Sequence, residues 1–126
     1  MKFICLGYLD ESMWQEMSDT QAAALMEKCF AYDDLLRREG HFIGGEALAG
    51  AKQAVTLRSQ KGKINITDGP FTETKEILGG ILVLEARDMQ QAIELIKAHP
   101  GVGIGPFEIR PVDEQIERIM AARQSA

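Results

Sequence analysis

Apolar residues occupy both alternating sets at the start of the chain, Phe3 and Cys5 on one side and Ile4, Leu6 and Tyr8 on the other. A strand covered on both faces carries that pattern, so Lys2–Leu9 is expected to form a central strand. The period then changes. Ser18 stands three residues before Gln21, the spacing of a capping box, and Ala22, Leu25, Met26, Cys29 and Leu36 recur at helical intervals, predicting a long amphipathic helix that ends at Gly40. Asp33 with Arg37 and Asp34 with Arg38 lie one helical turn apart, so these charges are expected to pair on the exposed face, each pair contributing about 0.3 kcal/mol.

Extended structure resumes near His41–Phe42, where Gly44–Gly45 and Gly50 predict a bulge or a close backbone approach. Alternation over Gln53–Ser59, a turn at Lys61–Gly62–Lys63 and renewed extension over Ile64–Thr67 predict a hairpin. Asp68–Gly69–Pro70 marks a further turn, and Thr72–Ala86, with its apolar run Ile77–Leu84 and Gly79–Gly80, reads as a second central strand. Asp88 caps a second helix with Gln91 at its third position, and Met89, Ala92, Ile93 and Ile96 form its buried stripe. His99–Pro100–Gly101 stops it. Phe107–Arg110 is a short last strand, after which Asp113 starts a helix to about residue 123 with Ile116, Ile119 and Met120 on one face.

Strand, helix, two or three strands, helix, strand is the order of the split βαβ, ferredoxin-like domain, an α+β class, here with an added C-terminal helix. Both long helices then share one sheet face. The other face stays bare although its strands are apolar, which makes a second subunit the economical cover and the space between facing sheets a place for a small ligand.

At 126 residues the chain fits one domain, 1–126, and a net charge of −5 with a pI near 5.0 argues against nucleic acid as a partner. No stretch reaches the ~18 apolar residues of a membrane span, and the opening MKFICLGYLDESMW lacks the pattern of a secretory leader, so a cytoplasmic location is expected. Cys5 and Cys29 read as buried free thiols. His41 and His99 stand without a cysteine or carboxylate cluster at ligand spacing, so no metal is predicted. His99 is expected to cap the pole of the second helix, with a pocket role as the alternative, and His41 to sit in a solvated turn. Trp14 falls in the connection after the first strand, at the edge of the sheet or of a cleft.

Asp68-Gly69-Pro70-Phe71-Thr72-Glu73-Thr74-Lys75-Glu76 resembles the DGPFxExKE motif that names the DGPF branch of the YCII-related proteins. Cys5–Tyr8, Gly44–Leu48, Gly79–Gly80, His99–Pro100 and Ile109–Val112 are similar to other positions of that family, so the likeness runs from about residue 2 to 113. The resemblance implies a dimeric α/β barrel of ferredoxin-like subunits and brings no cofactor. Some relatives use a His–Asp acid–base pair with the histidine on the first helix; Ser18–Glu39 contains no histidine. Within the motif, Asp68 is expected to accept turn amides, Gly69 and Pro70 to shape the turn, and Phe71 to plug core or cleft. If Thr72–Glu76 is extended, Glu73 and Lys75 share one face, opposite Thr72, Thr74 and Glu76, and either bind a polar ligand or join two subunits. The expected function is a small-molecule binding or enzyme-like domain, its charged cleft at the dimer interface carrying Asp68, Glu73, Lys75, His99, Arg58 and Tyr8. The alternative is a non-catalytic interaction module of the kind associated with extracytoplasmic-function sigma factors.

Overall fold

Strand β1 (Lys2–Asp10) pairs antiparallel with β5 (Glu76–Glu85) on one side and with β6 (Phe107–Pro111) on the other, a central place in the sheet. The computed structural model describes residues 1–125. After β1 come α1 (Glu11–Glu16), α2 (Asp19–Arg38) and β2 (Phe42–Ala47), then the hairpin β3 (Val55–Gln60) and β4 (Lys63–Asp68). Strand β5, α3 (Met89–Lys97), β6 and α4 (Glu114–Gln124) complete the chain. The sheet order β2-β5-β1-β6 places β5 between β1 and β2, the ferredoxin-like arrangement, with β3-β4 as a separate two-stranded sheet.

Phe3 and Cys5 of β1 and Leu82 and Leu84 of β5 point to one face, where Leu36 of α2 and Ala92 and Ile96 of α3 bury them. Each large side chain so buried contributes roughly 1.5–3 kcal/mol. The helix ends follow the cap residues in the sequence. Ser18 and Gln21 form the reciprocal capping box of α2, Asp88 accepts the Gln91 amide, and Asp113 accepts the Ile116 amide. Gly40 beyond α2 has φ +83°, a left-handed conformation that costs glycine nothing. Lys61 and Gly62 also have positive φ, 51° and 80°, so a two-residue primed turn joins β3 to β4.

Several expectations are corrected. The connection holding Trp14 is a short helix, because Asp10 caps it by accepting the Ser12 amide. Residues 72–75 are not extended: β5 begins only at Glu76, so Glu73 and Lys75 do not share a strand face. Phe71 is 73% exposed rather than buried in core or cleft. Among the described residues the Asp68 carboxylate accepts no hydrogen bond; the Gly69 amide donates to Ala54 O at 2.7 Å and Thr56 Oγ1 donates to Gly69 O at 2.8 Å, and these hold the turn. Gly69 itself has φ +94°, as a turn of this shape requires.

The opposite sheet face, with Ile4, Leu6, Ile81 and Val83, carries no helix and is only half-buried. The β3–β4 hairpin carries an apolar surface of its own. In its register Leu57 faces Ile66 and Ser59 faces Ile64, so Val55, Leu57, Ile64 and Ile66 lie on one side, each more than half exposed. No helix among the described residues is long and apolar enough to cross a membrane.

Candidate functional site

A cleft of about 710 Å³ opens between α2 and the sheet. Its origin is a set of missing side chains. On the helix-facing side, Gly7 of β1 lies opposite Gly80 of β5, Gly80 lies opposite Ala47 of β2, and Gly45 lies opposite Leu82. A Cβ on Gly45 would stand 2.9 Å from Ile81 O, and one on Gly80 would stand 3.2 Å from Glu46 O, so these strands approach too closely for any larger residue. Helix α2 packs down tightly only at Leu36; its earlier stripe of Leu25, Met26 and Cys29 stands over the glycine floor and becomes a wall.

At the inner end of this cleft two distant parts of the chain meet. Asp33 Oδ1, on α2, lies 3.0 Å from His99 Nε2, in the turn after α3. The other ring nitrogen is committed: the Gly101 N–H donates to His99 Nδ1 at 2.9 Å, capping the 3-10 turn Pro100–Gly103. A ring that accepts at Nδ1 carries its proton on Nε2, so His99 donates to Asp33. Tyr32 packs edge-on against the imidazole at 5.5 Å and Phe107 lies at 5.4 Å, leaving His99 only 7% exposed. The Asp33 side chain remains 23% exposed, toward the cleft. His99 therefore caps the turn that follows it rather than the pole of α3.

The surface charge pairs foreseen for α2 are also rearranged. Arg37 Nη1 donates to Asp34 Oδ1 at 2.6 Å, its guanidinium stacks 4.4 Å from the Phe42 ring centre, and Asp33 is turned away toward His99. Both cysteines line the cleft as thiols. Burial pushes Cys5 up to about 11, while burial and the neighbouring Asp33 charge push Cys29 upward. Neither supplies a thiolate near neutrality.

Of the six binding candidates named from the sequence, Tyr8 and His99 border this cleft. Arg58 is exposed on the hairpin, Glu73 and Asp68 are exposed on the motif segment, and Lys75 is 84% exposed with its Nζ 3.7 Å from Asp10 Oδ2. The motif instead borders a second groove, about 720 Å³, where Pro70, Phe71 and Thr72 face Tyr8, Leu48 and Leu78. Asp33 was missed as a site residue. Its signal lay in the stripe: it falls four residues after Cys29 and three before Leu36, a carboxylate placed among apolar contacts. Among the described residues no group of three or more His, Cys, Asp or Glu side chains is placed to hold a metal ion.

Residues 1–116 match the YCII-related domain. A curated relative, an uncharacterized protein of Rhizobium meliloti, is 29% identical over 116 residues, covering 89% of this chain and 92% of the relative. Among solved structures the fold is similar, with a TM-score of 0.52 and 18% identity, to the 5-chloro-2-hydroxyhydroquinone dehydrochlorinase TftG of Burkholderia phenoliruptrix in complex with 2,5-dihydroxybenzoquinone. That match covers 90% of this chain and 94% of the dehydrochlorinase.

Proposed function

The chain belongs to the YCII-related domain family, and we propose that it is an enzyme of the acid–base type acting on a small molecule bound between α2 and the sheet. The observation that carries this reading is the 3.0 Å contact of Asp33 with His99 at the end of a 710 Å³ cleft. His99 spends one nitrogen on the Gly101 amide and the other on Asp33, so it orients the carboxylate and Asp33 is the group that exchanges a proton with the substrate. The family's His–Asp chemistry is thus available without a histidine on the first helix. The dehydrochlorinase of similar fold, solved in complex with 2,5-dihydroxybenzoquinone, supports a ligand of that size. Asp68, Glu73, Lys75 and Arg58 have no part in this cleft, and Tyr8 serves at its border.

Nuclear magnetic resonance with a small-molecule library tests the proposal. Compounds that bind are expected to shift the amides of Gly7, Gly80 and Gly101. Among them, carbon acids are expected to exchange protons with deuterated solvent faster in wild type than in Asp33→Asn. Binding confined to the outer groove, or exchange unchanged in Asp33→Asn, would remove the proposal's basis.

A second reading concerns the assembly. The bare sheet face and the apolar side of the β3–β4 hairpin fit a second copy, two such faces packing about 10 Å apart as a dimeric α/β barrel. The same surface would serve a non-catalytic interaction module, including one of the sigma-factor-associated kind. Light scattering on the isolated protein separates the two, because only the first requires a dimer in the absence of any partner.

A further inference from the structure

The cleft has one polar end and a largely apolar body. Phe30, Met26, Phe107 and Trp14 are among its lining. At the polar end, Asp33 Oδ1 is taken by His99, and among the described residues Oδ2 has no partner. One acceptor is therefore open to a ligand. The charges around it are not balanced. Arg37, the cation of the lining, is answered by Asp34 at 2.6 Å and stacked on Phe42. His99 is the neutral tautomer fixed by Gly101. Glu11 accepts the Ala51 amide at 3.3 Å, and among the described residues neither it nor Glu46, also of the lining, is paired with a cation. A ligand thus meets three carboxylates, Glu11, Asp33 and Glu46, and one cation that is already paired, in surroundings where apolar walls reduce screening. Resting on the cleft reading above, we infer that this site takes an uncharged aromatic hydroxyl compound, a phenol rather than an aromatic acid, whose hydroxyl donates to Asp33 Oδ2.

The single tryptophan, Trp14, lines the cleft and reports occupancy by its fluorescence. The probes are p-hydroxybenzyl alcohol and p-hydroxybenzoate, equal in ring and hydroxyl and different in charge, titrated into wild type and Glu11→Gln. Glutamine keeps an oxygen for the Ala51 amide and loses the charge. The alcohol is expected to bind wild type at least about tenfold more tightly than the benzoate, and Glu11→Gln is expected to narrow that ratio. Benzoate bound as tightly as the alcohol, with Trp14 quenched by both, overturns the substrate class and leaves the cleft reading standing. A ratio unchanged in Glu11→Gln also overturns the charge argument. If neither compound changes Trp14 emission or the His99 ring resonances at millimolar concentration, the cleft reading fails, and the inference fails with it.

Discussion

Asp33 and His99 stand 66 residues apart in sequence and 3.0 Å apart in space, and the histidine's second nitrogen accepts an amide from Gly101. Each of these bonds constrains the other. Removing the ring strands the Gly101 N–H in a buried site and frees the carboxylate, so His99→Ala is expected to cost about 1–3 kcal/mol. Asp33→Asn keeps an oxygen for Nε2–H and should cost less than about 1 kcal/mol while abolishing proton exchange. Urea denaturation measures both. Equal stability loss in the two variants would make the pair a structural joint and not a site.

Stability at low pH is expected to depend on Asp10. Its carboxylate accepts both the amide and the hydroxyl of Ser12, and Lys75 lies nearby, so its pKa falls below the ordinary 3.8. A carboxyl whose folded pKa is depressed adds stability above its unfolded pKa and loses it as pH falls through the lower folded value. The Tm gap between wild type and Asp10→Asn should therefore be full near neutrality, shrink below the unfolded pKa and close only below the depressed folded one. A gap that persists at the acid end would assign the effect to packing. Lys75→Met and Glu73→Gln, both at exposed positions, are expected to move Tm by no more than about 2–3 °C.

Periodicity made the strands and helices legible because capping residues and turn glycines act locally: Ser18, Gly40, Gly62, Asp88 and Asp113 all stand where element ends require them. The site was less legible. Asp33 looked like half of a surface pair because helix spacing alone places Arg37 within its reach, and only the fold brings His99 closer. The cleft was expected between two subunits because the helix-free sheet face is apolar and calls for a cover, and the glycines of β1, β2 and β5 give no sign in the sequence of the space they leave under α2. The motif drew attention to Glu73 and Lys75, yet Lys75 reaches out to Asp10 and Glu73 is exposed. Its glycine-proline turn was read correctly for Gly69 and wrongly for Asp68, since backbone carbonyls and Thr56 supply the bonds assigned to the carboxylate.

The thiols offer a check on the inner wall. Cys5 is fully buried and its pKa lies near 11, and Cys29 is raised by burial and by Asp33. Alkylation by iodoacetamide at about pH 8 is therefore expected to be slow at Cys29 and slower still at Cys5, each slower than in the unfolded chain. Asp33→Asn should quicken the reaction at Cys29, because it removes the charge that opposes thiolate formation, and leave Cys5 unchanged. Rapid labelling of Cys5 in folded protein would mean that the sheet floor opens.

The last expectation concerns the apolar side of the hairpin. Leu57 and Ile66 are paired across β3 and β4 and are 63% and 67% exposed, and Phe71, three residues after β4, is 73% exposed, so none gains much from burial within its own subunit. In a lone chain, Leu57→Asp or Phe71→Ala would change stability by less than about 0.5 kcal/mol, as surface substitutions do. Burial against a second copy changes that account, since a charge at position 57 must then leave water or force the subunits apart. Leu57→Asp is accordingly expected to shift the mass found by light scattering from twice 13.9 kDa toward 13.9 kDa while helix content by circular dichroism stays constant. Phe71→Ala should lower Tm in a concentration-dependent manner, because stability that comes from association follows mass action. A wild-type mass of 13.9 kDa at all concentrations would refute the barrel arrangement, and the hairpin's exposed leucine and isoleucines would then belong to contact with a different protein.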